Sequence, residues 1–434
     1  MKKQFWKYIL PSMITFLVTG IYVSVDGFFV GRTVGDMGLG SINVAWPLAA
    51  LILDIGTGIG MGGSVNISHY MGAGDKKRAD KAFGNTLVLL MLFSIFITVF
   101  LLLFGKPLLR LMGAEGELLK LGSDYIMILA SGAVVQVFAT GVTPLLRNQN
   151  KPMLAMALML MNFTIDTILS GVFVMVLGLG VRGAAFATLA GQLITCIPAL
   201  FILFQKENRI PASCYLPKKD VIGSIIKVGT PVFGLCFIPS LTILIINRQA
   251  ATYGGTTAIA AFAVISYVLS IGQLLLQGVG EGTQPLISFY YGANDKKAVK
   301  TFRKWTYYMA FTVGILATII IILLRDQIAG FFGVSHETAK VLQTALPLCA
   351  FSLPLYAFSR VTTEYFNAIK KSRSSAVMVY GEAIVLLPLA AFFLPKLFGI
   401  DGVWYTVVLV QLLLLFTGII LRISNYHTGK LLRN

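Results

Sequence analysis

The chain has 434 residues, of which 56% are hydrophobic and only 12% charged. Soluble domains carry about 25% charged residues, so this chain has too few polar side chains to cover a globule in water. Its formal charge of +17 invites a nucleic-acid reading, but the placement of the basic residues excludes it and assigns them to membrane topology.

Apolar runs of about twenty residues, each enough for one helical crossing of a bilayer, recur along the whole length. They predict an all-α membrane protein of twelve transmembrane helices. A β-barrel is excluded, because barrels are built from short alternating strands. The first span, 11–32, follows Lys2, Lys3 and Lys7 and starts at Pro11. It has no small-residue cleavage site and reads as a retained helix. Tyr22 and Asp26 lie i,i+4 on one of its faces. The second span, 42–66, holds Asp54 and leads into "GAGDKK". That segment reads as a cytoplasmic turn with Gly72 ending the helix. Spans 82–104 and 122–146 follow. The fifth, 153–176, places Asn162 and Asp166 i,i+4, and the sixth is 184–204.

The stretch from Gln205 to Lys227, with Asn208, Pro211, Pro217 and five basic residues, reads as a cytoplasmic linker between two mobile lobes. The expected division is 1–205, linker 206–227, and 228–434. The seventh span, 228–252, opens near Pro231 and carries Arg248. The eighth, 258–284, holds Glu281 and Gln284 and leads into "GANDKK". Spans 304–324, 341–364 (Arg360 and Glu364, i,i+4), 375–395 (Glu382) and 402–422 complete the set.

The two halves repeat. Between Gly58–Lys77 and Gly278–Lys297, offset by 220 residues without a gap, eleven of twenty positions are identical. The register persists: Pro11 meets Pro231, Gly35 meets Gly255, and Lys151 meets Lys371. After one deletion, Gly180 and Gln192 meet Gly399 and Gln411. Six spans per half give parallel repeats related by an axis along the membrane normal, an arrangement of transporters that work around a central site. Alternating the loops places 25 Lys and Arg on one side and 8 on the other. The positive-inside rule then sets both termini in the cytoplasm, with anionic headgroups as partner of the basic loops.

Ionisable residues inside a span are functional candidates by default. Tyr22, Asp26, Asn162 and Asp166 would, if their faces meet, form a site for a proton or, with amide oxygen, Na⁺. None of these is kept in the second half: Ile246, Leu386 and Glu382 stand at the places of Asp26, Asp166 and Asn162, while Glu281 replaces Met61. Glu281, Asp54, Gln284 and Arg360 are the candidates for a substrate or cation cavity, with Arg360 and Glu364 read mainly as an internal ion pair. Pro11 and Pro231, each freeing a carbonyl, are candidates for bending during gating. No glycine-rich phosphate loop is present. The four cysteines and three histidines have no metal or redox spacing, so neither an enzyme nor a cofactor is expected.

"IYVSVDGFFVGR" on span 1, "NFTID" on span 5 and "GEGTQPLISFYYGANDKK" on span 8 resemble the multidrug and toxic compound extrusion (MATE) family, the last stretch its bacterial MepA-like branch. The resemblance covers the whole chain. It implies a two-lobe multidrug efflux antiporter of the bacterial cytoplasmic membrane, exporting lipophilic cations in exchange for H⁺ or Na⁺ by alternating access. It implies that Tyr22, Asp26, Asn162 and Asp166 form the coupling-ion site. Span 7, "SLTILIINRQAATYGG", lacks the carboxylate of the branch whose cation site lies in the second lobe. A monomer is expected, since one chain holds both lobes. The alternative is a flippase for lipid-linked oligosaccharide of the same superfamily, which would carry basic rather than acidic cavity residues.

Overall fold

The computed structural model describes residues 1–205, 210–332 and 334–431, with the side chains of 21–28, 31, 36 and 426–431 outside the description. All twelve predicted spans fall on helix, and the described residues contain no strand. Helix α1 runs Lys2–Gly72 and α7 Lys219–Gly292. At about 1.5 Å per residue each is far longer than one crossing. Each therefore holds two spans, and the break falls at a glycine: Gly35 (φ 69°, ψ −158°) in α1 and Gly255 (φ 62°, ψ −155°) in α7. Side chains other than hydrogen meet steric resistance in that conformation. The helix continues through Pro11, whose carbonyl accepts a hydrogen bond from Thr15 Oγ1 at 2.9 Å. It also continues through Pro231.

Between them lie α2 (Lys76–Leu111), α3 (Gly116–Ser131), α4 (Ala133–Asn148), α5 (Pro152–Ser170) and α6 (Gly180–Leu203). Helices α3 and α4 together make the fourth span, bent by 63° at Gly132. After α7 come α8 (Lys296–Leu323), α9 (Arg325–Phe331), α10 (His336–Ala350), α11 (Ser352–Ala368), α12 (Ser372–Gly381), α13 (Leu387–Phe398) and α14 (Ile400–Leu431). Helices α10 and α11 make the tenth span, and α12 and α13 the eleventh. A π-helical turn follows α5 at Gly171–Val176, and another joins α12 to α13 at Glu382–Leu386.

The repeat seen in the sequence is also a repeat of backbone conformation. Left-handed residues recur in pairs 220 apart: Gly74 (φ 75°) with Asn294 (φ 56°), and Asn150 (φ 65°) with Lys370 (φ 59°). Gly180 (φ 57°) pairs with Gly399 (φ 59°) after the one-residue deletion. In "GAGDKK" it is thus Gly74, not Gly72, that turns the chain left-handed. Asp75 then caps α2 by accepting from Arg78 N at 3.0 Å, which satisfies one of the orphan donors of a helix start. Gly72 and Gly292 are small for another reason: a Cβ on Gly72 would overlap the Phe289 carbonyl, and one on Gly292 the His69 carbonyl.

The chain divides into two compact units. One comprises Met1–Phe237 and Ser288–Lys296; the other comprises Ile238–Ile287 and Lys297–Asn434. Two of the three cuts run through α7, and the third falls at the start of α8. In the first unit an apolar core gathers Ile52, Leu90, Ile126, Val137 and Leu145 from α1 to α4. Glycines allow the closest approaches: a Cβ on Gly60 would overlap the Gly141 carbonyl of α4. In the second unit Trp404 is 2% exposed and stacks on Phe262, with ring centroids 6.4 Å apart.

The second half of the linker is not a free tether. Asn85 on α2 donates through Nδ2 to the carbonyls of Cys214 (3.0 Å) and Leu216 (3.3 Å), and its Oδ1 accepts from Lys218 N (2.9 Å). One buried amide therefore straps residues 214–218 onto α2. Replacing Asn85 by alanine strands three backbone groups, at a cost of about 1–3 kcal/mol. The expected result is a thermal midpoint several degrees lower, read in detergent by fluorescence-detected gel filtration. An unchanged midpoint would mean that the strap is replaced by water.

Candidate functional site

In the first unit, Asn162 and Asp166 lie one turn apart on α5, as their spacing requires. Asp166 is 1% exposed. Helix α6 packs directly on both: a Cβ added to Gly191 would come within 3.1 Å of Asp166 Cβ and 3.2 Å of Asn162 Oδ1. A side chain there would press on both residues by a few tenths of an ångström. Asp166 is hydrogen bonded to Thr188, one turn before Gly191 on the same helix. Asn162 Oδ1 is buried without a hydrogen-bond partner among the described residues, and so is Oε1 of Gln192, which is 7% exposed. A carboxylate and unengaged amide oxygens shielded from water are able to hold a proton or a small monovalent cation. The side chains of Tyr22 and Asp26 lie outside the described residues, so the meeting of the α1 and α5 faces has no geometry here.

Thr188 and Gln192 were not singled out as site residues in the sequence, yet one signal was there. Gln192 and Gln411 are a repeated pair, and in the second unit Gln411 Nε2 donates to Glu382 Oε1 at 2.8 Å. Glu382 occupies the place of Asn162. The glutamine of span 12 thus faces the polar position of span 11, and Gln192 and Asn162 stand at the corresponding places in the first half. The second π-helical turn, Glu382–Leu386, covers the places of Asn162 to Asp166; π-turns often mark functional positions in helices.

The second unit assembles a different cluster. Glu281 on α7 is 2% exposed and accepts from Gln277 Nε2 at 2.8 Å. Arg360 on α11 places Nη2 3.8 Å from Glu281 Oε1 and 3.4 Å from Glu364 Oε1. The expected Arg360–Glu364 pair is therefore present, and Glu281 joins it. Gly280 lies against the Glu364 side chain, where a Cβ would come within 2.9 Å of Cγ. Gln284, one turn beyond Glu281, is 1% exposed. Asp54 belongs to the first unit, on α1, and is 8% exposed. Arg147, one residue past the expected fourth span, is buried in the last turn of α4 at 8% exposure, where a cation suits the helix-end carbonyls. Arg248 is exposed. Among the described residues no group of three or more His, Cys, Asp and Glu is placed to hold a metal ion.

The MatE family profile matches residues 11–173 and again 231–392, about three quarters of the chain. The two matches start 220 residues apart, which is the repeat offset. The chain is 26% identical over 416 residues to the multidrug export protein MepA of Staphylococcus haemolyticus (strain JCSC1435), covering 94% of this chain and 90% of that one. It is 24% identical over 418 residues to the protein of the same description from Staphylococcus saprophyticus, with the same coverage. Among solved structures, it superposes with a TM-score of 0.92 on an outward-facing multidrug resistance MATE family transporter of the MOP superfamily, at 26% identity over 98% of this chain and 97% of that one. A MOP superfamily transporter from Pyrococcus furiosus, described as having a binding pocket of reversed polarity, superposes at 0.91 with 26% identity, covering 98% of this chain and 96% of that one. With a twice-repeated profile, relatives matched over nearly their full length and a shared all-helical fold, the chain belongs to the MATE family of membrane transporters, not to a family of enzymes.

Proposed function

We propose that this protein is a multidrug exporter of the bacterial cytoplasmic membrane, an antiporter that expels lipophilic cations in exchange for H⁺ or Na⁺. The observation that carries the reading is Asp166, sealed with Asn162 under Gly191 of α6. A carboxylate kept from water at that depth, beside unengaged amide oxygens, earns its place by exchanging an ion. Its relatives' description as multidrug export proteins supplies the cargo class, and no cofactor is needed.

In this reading Asp26, Tyr22, Asn162 and Asp166 take up the ion from outside. Loading alters the charge on α1 and α5 and weakens the hold on the substrate, which leaves. By linkage, the substrate weakens ion binding by the same factor, so the two occupy the protein alternately. Pro11 and Pro231 are the places where the spans yield. Both termini are cytoplasmic, the basic loops rest on anionic headgroups, and the working unit is a monomer.

The test uses inverted membrane vesicles and ethidium. Uptake is expected under an imposed pH gradient or a Na⁺ gradient, and its collapse when an ionophore dissipates that gradient. Correctly inserted protein that moves no ethidium under either gradient would overturn the reading and turn attention to lipid-linked oligosaccharides.

A further inference from the structure

The buried acids among the described residues fall into two groups. Glu281 and Glu364 face Arg360, Glu382 accepts from Gln411, and Asp166 is bonded to Thr188. Asp54 has no such partner. It is 8% exposed, and its Oδ2 is buried without a hydrogen bond among the described residues. An ionised carboxylate in that position is costly unless it takes up a proton or meets a cation.

The packing around Asp54 indicates what kind of cation. Asp54, Gly58 and Gly62 recur every four residues on one face of α1. That face is crossed by the start of α7. A Cβ on Gly62 would overlap the Ile225 carbonyl, one on Gly229 would overlap the Gly58 carbonyl, and one on Gly58 would come within 3.2 Å of Phe233 Cβ. The helices are antiparallel here: Gly62 meets Ile225 and Gly58 meets Gly229 and Phe233. Continued one turn further along both helices, this antiparallel register brings Asp54 level with Phe233 and Phe237. Those two rings are half-buried and stacked, with centroids 6.0 Å apart and planes 9° from parallel. All of these residues belong to the first unit. Asp54 also lies midway along Met37–Gly72, the helical segment that makes the second span. That is the depth at which transporters of repeated architecture bind their cargo.

A bare Na⁺ would need a shell of oxygens, and phenyl rings offer none. A flat organic cation gains from both partners: its charge from the carboxylate, its body and its charge from the ring faces. The repeat underlines that this is a local device, for Leu274 occupies the place of Asp54 in the second half.

We infer that Asp54, with the Phe233–Phe237 stack, forms a binding site for aromatic or otherwise lipophilic organic cations, distinct from the ion site at Asp166. The inference deepens the export reading and rests on it. The test measures binding of ethidium, and of the neutral dye Nile red, to the purified full-length protein in detergent, by fluorescence anisotropy. Asp54→Asn is expected to weaken ethidium about tenfold or more and to leave Nile red within about twofold. Asp54→Glu is expected to restore most of the ethidium affinity. Phe237→Leu, which keeps the bulk but loses the ring face, is expected to weaken ethidium several-fold. The residual ethidium affinity of Asp54→Asn is expected to keep its dependence on pH or Na⁺.

Equal ethidium affinity in Asp54→Asn and the wild type would overturn the inference alone. Equal losses for ethidium and Nile red would also overturn it, by assigning Asp54 to the shape of the cavity. Loss of the ion dependence would overturn it by making Asp54 part of the coupling site. A folded wild type that neither binds nor moves any lipophilic cation would remove the export reading together with this site.

Discussion

Asp166→Asn is expected to abolish ion-driven efflux while leaving a folded, inserted protein. Asparagine is nearly isosteric with aspartate and keeps an oxygen that accepts from Thr188. It also adds no bulk where Gly191 of α6 packs against the Cβ of residue 166. What it cannot do is carry a charge or hold a proton. A coupled exporter shows a substrate affinity that changes by about 5–150-fold between the ion-free and ion-loaded protein. In Asp166→Asn that ratio is expected to fall to one, so a gradient of pH or Na⁺ no longer drives transport. Passive, downhill equilibration of substrate is expected to survive. The measurement is ethidium affinity across pH at fixed Na⁺, then across Na⁺ at fixed pH, with the thermal midpoint as control. Asp26→Asn is expected to behave alike. An Asp166→Asn protein that retains the full ion-dependent change in affinity would remove Asp166 from the coupling site.

The same site shows what the sequence could and could not disclose. The α5 pair was legible because a helix turns in 3.6 residues, so Asn162 and Asp166 had to share a face. The breaks at Gly35 and Gly255 were legible as a repeated glycine pair, and the left-handed backbone at both explains why that residue recurs. Thr188 was not legible, because threonine is an ordinary helix-packing residue in a membrane. Only its position one turn from Gly191, a close-approach glycine, gives it a role. Asn85 was hidden for a similar reason. Its function is to receive a linker more than 120 residues away in sequence, between Asn85 and Lys218, and local pattern holds no record of such a contact. The linker itself read as flexible from its prolines and charges, a composition that does not reveal a docking partner. The expected fourth span ends at 146, just before Arg147, because charge and span ends are one-dimensional, whereas burial is decided by how neighbouring helices pack.

Arg360→Met is expected to be the most destabilising single change in the second unit. Glu281 and Glu364 are 2% and 3% exposed and share one guanidinium, at 3.8 and 3.4 Å. Taking that cation away leaves two buried carboxylates, and breaking a buried pair from one side costs about 3–5 kcal/mol. That is a large part of the 5–15 kcal/mol that a folded domain has in hand, so little monodisperse protein is expected after solubilisation. The first repeat shows what the same positions look like without charge. Met61, Thr140 and Pro144 stand at the places of Glu281, Arg360 and Glu364, and Met61 is 1% exposed. A neutral filling of this niche is therefore compatible with the architecture, in keeping with the rule that replacing a whole buried ion pair is far milder than halving it. It follows that Glu281→Gln and Glu364→Gln, added to Arg360→Met, are expected to recover most of the lost thermal midpoint. Arg360→Lys is expected to fall between, since a single ammonium cannot span two carboxylates as a planar fork does. If Arg360→Met alone melts like the wild type, the guanidinium is not what makes the two acids tolerable, and the cluster is held by something other than charge. If instead the triple variant is stable yet exports poorly, the cluster's charges serve transport rather than folding, which a buried Glu–Arg–Glu arrangement with a neutral counterpart in the other repeat is well placed to do.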